Sequence, residues 1–177
     1  MVGAVLTQNT AWTNVERAVA NLKRKGLLEL DRLCGMTPAR LAPVIRPAGF
    51  YRLKARRLLT LLRCIESKGG FPRILSLPTD DLRLELLGCN GVGPETADSI
   101  LLYALDRPVF VVDAYTRRVL CRYGLLRGSE DYPAVQSWFH RSLGPDVRMY
   151  NELHALFVRL AKEHCRTRAL CRDCPLS

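Results

Sequence analysis

Apolar residues recur every three or four positions along most of this chain, the spacing that places them on one face of an α-helix. The longest such pattern runs from Tyr51 to Lys68, with leucines on one side and basic residues on the other. Other helices are predicted from Met1 to Leu6, Thr13 to Lys25, after Thr37-Pro38, near Leu41 to Ile45, after Thr79, through Ser99 to Leu105, and over Tyr115 to Tyr123, Tyr132 to Leu143 and Val147 to His164. Only Pro108 to Val112 has the character of an extended, buried connection. Since nothing alternates like a strand, the pattern predicts an all-α fold.

Polar residues before several of these helices are candidate caps. Thr13 with Glu16 has the spacing of a capping box, and Thr79–Asp81 precedes the next apolar run. Gly69–Pro72 should end the long helix. Asp113 stands at or near the N-cap of the helix that follows it, which is a sufficient structural reason for an aspartate there. Capping would also fix its carboxylate and hold it ionised, as catalysis would require.

The turn Gly91-Val92-Gly93 separates two predicted helices. Two glycines around one apolar residue suit a tight backbone hairpin, and Pro94 stands where proline starts a helix best. Free amides and the positive end of the second helix make a seat for one phosphate. Taken alone, the glycines are better explained by an ordinary interhelical turn. The placement of Asp113, twenty residues after Gly93, is the more specific feature.

The charge distribution favours a polyanionic partner. The 177 residues are 48% hydrophobic, enough for a sizeable core, and carry a net charge of +10. Arginines outnumber lysines and are spread along the chain, so the charge belongs to a folded surface that would bind nucleic acid in a salt-sensitive way. A solvated basic surface is the alternative, and for Lys54, Arg56, Arg57 and Arg63 the two interpretations are equally supported.

The lack of a recognisable targeting signal and the cysteine usage indicate the cellular compartment. No apolar run is long enough to span a bilayer, and no charged start with an apolar core marks a signal peptide. Seven cysteines, an odd number, argue against a disulfide framework. We therefore expect a soluble, cytoplasmic protein. Cys34, Cys64, Cys89 and Cys121 lie in apolar contexts and are interpreted as packing residues.

The run from Leu86 to Arg118 resembles the helix-hairpin-helix motif and the following aspartate loop of the endonuclease III superfamily of DNA glycosylases. The resemblance extends from Leu6 to the closing cysteines, nearly the whole chain. It implies two helical lobes. The first lobe would be 15–125, with the helix-hairpin-helix at about 79–105 and the catalytic loop at 108–113, and the second would be 1–14 plus 126–177.

The same resemblance assigns site residues. Asp113 takes the position of the catalytic aspartate, and Gln8 that of the wedge that fills the gap left by a flipped base. The remaining DNA-binding positions are Asn90, Gly91, Val92, Gly93, Glu95 and Thr96. Glu95 stands where bifunctional members carry their nucleophilic lysine, and no lysine occurs between Lys68 and Lys162. A Schiff base needs an amine, so the sequence predicts a monofunctional enzyme.

The sequence Arg46-Pro-Ala-Gly-Phe-Tyr51 resembles the 3-methyladenine glycosylase branch of this superfamily. That resemblance implies a base pocket lined by Trp12, Phe50 and Tyr51. A cationic alkylated purine stacks well on electron-rich rings and leaves without a general acid. For Trp12 a core position is the alternative, since a tryptophan beside an apolar run is more often a core residue.

Cys165, Cys171 and Cys174 close the chain and resemble the C-terminal [4Fe–4S] loop of the superfamily, which has four ligands. The fourth cysteine is absent, and the chain also starts abruptly in a helix. We therefore expect truncation at both ends and a cluster only in a longer protein. Zinc with His164 as fourth ligand and a metal-free loop are the alternatives.

Together these features predict a base-excision-repair glycosylase that flips and hydrolytically removes a damaged base, with Asp113 assisting water. The partner would be double-stranded DNA with damaged bases. The protein would act as a monomer, without a membrane, associated with the nucleoid. A bifunctional glycosylase and abasic-site lyase, or a non-catalytic binder of damaged DNA, are the alternatives. Schiff-base chemistry by a lysine would indicate the bifunctional enzyme. Unchanged behaviour after replacement of Asp113 would indicate the non-catalytic binder.

Overall fold

The computed structural model describes all residues from 1 to 177 and is helical throughout, as the apolar pattern predicts. A short 3₁₀ turn at Arg46–Ala48 accompanies eleven α-helices. They are α1 Val2–Leu6, α2 Trp12–Arg24, α3 Leu30–Cys34, α4 Pro38–Leu41, α5 Tyr51–Ser67, α6 Gly70–Ser76, α7 Thr79–Leu87, α8 Pro94–Leu105, α9 Ala114–Arg122, α10 Tyr132–Leu143 and α11 Val147–Glu163. None is long and apolar enough to cross a membrane. The chain forms two compact units, Met1–Ile100 and Leu101–Ser177; the division into lobes at 15–125 stays a prediction.

The first unit is built on α5. Its apolar face is completely buried, and the helices α1, α3, α4 and α6 all contact it. The buried members are Ala55, Leu58, Leu59, Leu61, Leu62 and Ile65. Each large aliphatic side chain removed from water in this way contributes about 1.5–3 kcal/mol. The long amphipathic pattern of the sequence thus marks the central helix of this unit.

Lys54 lies on the buried side of α5, although the sequence indicates a basic surface residue. It is only 2% exposed, and its ammonium donates hydrogen bonds to the carbonyls of Leu6 (2.9 Å) and Ala48 (2.7 Å). Burial, assisted by the charge of Arg57, lowers the pKa of Lys54 to about 8. The lysine therefore satisfies the carbonyl at the end of α1 and is committed to the fold.

The second unit is organised around the extended connection that leads to Asp113. Phe110, Val111 and Val112 are buried in its core. Side chains of α10 make the hydrogen bonds to the backbone of Phe110 that a neighbouring strand would make in a sheet. His140 Nε2 accepts from the Phe110 amide at 3.0 Å, and the Gln136 amide donates to the Phe110 carbonyl at 2.7 Å. The connection is therefore fixed in an all-helical setting.

Some local predictions were wrong. The Thr13–Glu16 capping box does not form, because α2 begins one residue earlier and Thr13 lies inside it. Pro78, not Thr79, is the N-cap of α7. The stretch from Leu41 to Ile45 is mostly turn, followed by the 3₁₀ segment, and α3 and α6 were not predicted. These segments are short, so a few turn residues decide their conformation.

Candidate active site

Asp113 is the N-cap of α9, as its position before the apolar run predicts. Its backbone is extended, and its Oδ1 accepts a hydrogen bond of 2.7 Å from the amide of Thr116. Only 8% of the residue is exposed. The cap bond fixes the carboxylate from one side and leaves Oδ2 to meet other groups.

Two residues that the sequence analysis missed complete the surroundings of this carboxylate. His154 of α11 places Nε2 3.4 Å from Asp113 Oδ2, a long and poorly aligned contact, and this Nε2 makes no formed hydrogen bond. Its other ring nitrogen, Nδ1, is bonded to the hydroxyl of Tyr103 from α8. A histidine one turn after the buried Tyr150, on the inner face of an amphipathic helix, was the available signal.

These contacts decide the ionisation of Asp113. Burial is the largest single influence and by itself raises the pKa of the carboxyl. The nearby His154 ring and the hydrogen bond from the Thr116 amide outweigh it and hold the pKa of Asp113 below its ordinary value. Burial, assisted by the same carboxylate, raises the pKa of Tyr103 to about 12. Asp113 is therefore an anion at neutral pH, in a site largely screened from water.

We expect replacement of His154 by phenylalanine to move the acid limb of activity to higher pH. The substitution keeps a ring and removes the imidazole that lowers the pKa of Asp113, while the Thr116 amide stays and burial continues to raise the pKa. The rate of base release at decreasing pH measures the shift. Tyr103→Phe keeps His154 in place and should shift the limb much less. A His154→Phe profile that superimposes on the wild type would contradict this role.

The same contacts contribute to stability. A carboxyl whose folded pKa lies below its unfolded value stabilises the fold above the unfolded value, and this contribution disappears as pH falls through the folded value. For Asp113 the loss therefore occurs on the acid side of the ordinary aspartate range. At neutral pH the contribution is fully present.

The turn between α7 and α8 lies in the first unit and has the predicted hairpin form. Gly91 has φ +89°, and a Cβ built there would lie 2.5 Å from Cγ of Arg57, so glycine is required for both conformation and space. Gly93 differs: it is exposed, and a Cβ there would meet nothing within 4 Å. The backbone before Pro94 is consequently open to a ligand.

Gln8 and Arg57 contact this turn from α1's end and from α5. The Gln8 amide donates to the Gly91 carbonyl (3.2 Å) and to Thr96 Oγ1 (2.9 Å), and its oxygen accepts from Arg57 at 2.6 Å. Both ends of the Gln8 side chain are thus engaged. Insertion into a duplex, as the wedge prediction requires, would break these bonds.

The predicted DNA-binding residues gather around one surface depression of about 410 Å³, which we term the hairpin groove. Its lining is Gln8, Asn9, Arg57, Gly91, Val92, Gly93, Glu95 and Thr96. Every predicted DNA-binding residue except Asn90, an exposed residue of the turn, contributes to it. Arg57 supplies a cation there that the sequence analysis did not single out.

The three predicted pocket aromatics do not line the hairpin groove. Phe50 is 69% exposed and adopts φ +43°, a left-handed conformation that is strained for a bulky residue. Trp12 is half exposed, with its ring close to Gly3, and Tyr51 begins α5. An exposed aromatic in a strained turn is typical of a functional position. The assignment of these aromatics to a base pocket stays a prediction.

The closing cysteines do not fit a metal site as the chain is folded. No group of three or more His, Cys, Asp or Glu side chains is gathered to hold a metal ion. Cys171 is exposed, and Cys165 Sγ accepts a hydrogen bond from Arg122 at 3.4 Å. Arg122 also donates to the carbonyls of Arg166 and Thr167, so an arginine of α9 organises this loop.

Two lysines, Lys54 and Lys162, differ in whether their amines are accessible. Lys54 is buried against backbone carbonyls and is unavailable. Lys162 is exposed, and its ammonium lies 5.7 Å from the ring of Tyr115, two residues after Asp113. Lys162 is therefore an accessible amine in the second unit, which also contains Asp113.

Comparisons with known proteins agree with this arrangement. Residues 2–145 match the model of the HhH-GPD superfamily base excision DNA repair proteins. A protein of Methanocaldococcus jannaschii, provisionally named as a DNA repair glycosylase, is 49% identical over 99% of this chain and 81% of its own length.

Two solved structures have the same fold. A 3-methyladenine DNA glycosylase of H. pylori bound to 1,N6-ethenoadenine has a TM-score of 0.80 at 30% identity, covering 92% of this chain and 83% of its own. A non-covalent endonuclease III–DNA complex has a TM-score of 0.82 at 25% identity, with coverages of 99% and 78%.

Proposed function

The chain belongs to the HhH-GPD superfamily of base excision DNA repair proteins, and on this premise we propose that it is a monofunctional DNA glycosylase that hydrolyses the N-glycosidic bond of an alkylated purine. The observation that carries the proposal is Asp113, a buried carboxylate that accepts a hydrogen bond from the Thr116 amide and is held ionised beside His154. Its substrate would be double-stranded DNA inside the cell. Because the reacting atoms of a base are buried in a duplex, the base leaves the stack first.

Asp113 acts on the sugar. Departure of the base leaves positive charge on the ring, and a fixed anion stabilises that charge as it develops. Oδ1 is held by the Thr116 amide, so Oδ2 is the oxygen available to orient the attacking water. Since the carboxylate is already ionised and placed, it does not need to reorganise during the reaction.

A cationic purine suits this chemistry best. An alkylated purine carries the positive charge that makes the base a good leaving group, and it requires no proton donor. The family's neutral substrates would require one, and Glu95, a first-turn residue of α8 in the hairpin groove, is a weak candidate. The likeness to a 3-methyladenine glycosylase at 30% identity supports the same substrate class. Exposed aromatics such as Trp12 and Phe50 would receive such a base.

The hairpin groove would hold a DNA phosphate. Open backbone before Pro94, the start of α8 and the Arg57 guanidinium provide amides and positive charge for one anion. We expect Gly93→Ala to weaken binding to duplex DNA several-fold and leave the free energy of unfolding nearly unchanged, because the added methyl group meets only the space a phosphate would use. Fluorescence anisotropy and urea unfolding measure the two effects.

Gly91→Ala is the matched comparison for that experiment. It places the same methyl group at a positive φ and against Arg57, so it should destabilise the protein itself. If Gly93→Ala binds DNA as tightly as the wild type, the phosphate does not lie over Gly93.

The absence of an amine at position 95 gives the test of monofunctional chemistry. With a duplex that contains one abasic site and borohydride present, we expect the wild type to form no trapped adduct and to leave the strand intact. Glu95→Lys should form an adduct, because it returns an amine to the hairpin groove, whereas Glu95→Gln should not. Denaturing gel electrophoresis separates adduct, intact strand and broken strand.

The alternative is a bifunctional enzyme, and one observation favours keeping it. Lys162 is exposed beside Tyr115, so an amine does stand in the unit that carries Asp113. If the wild type forms an adduct that Lys162→Arg abolishes, Lys162 performs lyase chemistry and the monofunctional proposal is wrong. A cluster bound by Cys165, Cys171 and Cys174 stays a prediction and enters no step.

A further inference from the structure

Two cysteines that the sequence suggests are packing residues meet beside the hairpin. Cys64 lies on α5, and Cys89 follows α7, in the turn that leads to Gly91. Their sulfur atoms are 2.6 Å apart, with the Cys89 thiol directed at Cys64. Both are free thiols in the structure. Nothing in the glycosylase chemistry uses either residue.

We propose that Cys64 and Cys89 are a covalent modification site, at which a peroxide converts the two thiols into a disulfide that joins the hairpin turn to α5. The sulfurs already lie side by side, so the bond forms without rebuilding the backbone. This proposal is independent of the base-excision chemistry. Either can fail without the other.

The order of the two steps follows from exposure. Cys64 is partly exposed and meets the oxidant, whereas Cys89 is buried. Burial and the neighbouring Cys64 raise the pKa of Cys89 to about 12. Cys89 therefore stays protonated and does not react with the peroxide first. Cys64 sulfur attacks one peroxide oxygen, the O–O bond breaks, and a sulfenic acid and one water form. Cys89 sulfur then displaces the hydroxyl, which leaves with the thiol proton as a second water.

The bond would fasten the hairpin at a second point of the same helix face. Arg57 precedes Cys64 by seven residues on α5, two helical turns, and its side chain already packs against Gly91. A disulfide at Cys64, two helical turns further along α5, would hold the beginning of the same hairpin. Because the closed loop of chain runs from residue 64 to 89, the link also restricts the unfolded state.

Other cysteines offer competing pairs and must be separated from this one. Cys171 and Cys174 are separated by two residues in the closing loop, and Cys171 is exposed. Cys34 is a weaker competitor, because burial and Glu66 raise the pKa of its thiol to about 12. A Cys171→Ser, Cys174→Ser double variant removes the closing pair without touching the hairpin.

The test treats the full chain, and this double variant, with hydrogen peroxide and maps tryptic peptides without reduction. We expect the peptide 64–68 to be linked to the peptide that begins at Leu84, with a loss of two hydrogens, in both proteins. The oxidised double variant should have a Tm several degrees higher, reversed by dithiothreitol. Cys89→Ala should stop at a sulfenic acid on Cys64 that dimedone captures.

Three results would overturn the proposal. One is oxidation of Cys64 to sulfinic acid in the double variant with no link to Cys89. A second is a peptide map in which Cys64 and Cys89 stay reduced while the remaining cysteines oxidise. The third is a disulfide-linked Cys64 peptide in Cys89→Ala, which would show that a different cysteine resolves Cys64.

Discussion

Asp113→Asn should strongly reduce the rate of base release and leave DNA binding intact. Asparagine keeps the shape of the side chain and caps helices as well as aspartate does, so α9 should still begin at the same residue. It removes the negative charge opposite the developing sugar cation. Loss of one preorganised electrostatic contact of this kind costs roughly a hundredfold to a thousandfold in rate. Single-turnover release of free base from an alkylated duplex measures the change.

Asp131→Asn is the matched control for that variant. Asp131 is likewise an N-cap, for α10, where its Oδ1 accepts from the Ala134 amide at 2.8 Å, but it is exposed. Its replacement should leave the rate of base release unchanged. If Asp113→Asn excises base at the wild-type rate, Asp113 is only a cap and the site assignment is wrong. Equal DNA binding without any base release by the wild type would identify a non-catalytic binder.

Arg83→Met should lower the free energy of unfolding by about 3 kcal/mol. Arg83 of α7 forms a two-bond ion pair with Asp98 of α8, with distances of 2.6 and 3.0 Å. The Asp98 side chain is 0% exposed, whereas Arg83 is 25% exposed. Methionine keeps the aliphatic stem and leaves a buried carboxylate without its main partner, and this penalty is what destabilises the protein. Urea unfolding measures the loss.

An exposed pair provides the control for this effect. Arg148 and Glu152 form an ion pair on α11 with side chains 88% and 63% exposed. Arg148→Met should change the free energy of unfolding by less than about 1 kcal/mol, because water screens this pair. If both arginine variants lose the same small amount, the pair between the two helices of the hairpin is not what positions them.

The sequence was sufficient where a strong pattern and a specific motif coincided. The helix from Tyr51, the cap at Asp113 and the glycine requirement at Gly91 all follow from local rules of periodicity, capping and backbone sterics. The aspartate cap was found because its helix begins immediately after it. The family resemblance then gave the chemistry, which the family match now supports at the coarser level of a base-excision glycosylase.

Contacts between distant parts of the chain were not predictable in this way. His154 follows Asp113 by 41 residues and becomes its neighbour only when α11 packs against α9. Lys54 looks like any surface cation in the sequence, and its burial depends on the approach of α1 and of the 3₁₀ turn. The pairing of Cys64 with Cys89 likewise depends on how α5 lies beside the hairpin. Local periodicity contains no information about such tertiary partners.

The most direct test of the account is mass-spectrometric detection of free base after incubation with a duplex that carries one 3-methyladenine. The account predicts free 3-methyladenine together with an intact strand that contains an abasic site, because Asp113 assists water and no amine attacks the sugar. Release of no base from this duplex, with the DNA nevertheless bound, would contradict the claim that the protein hydrolyses alkylated purine nucleotides.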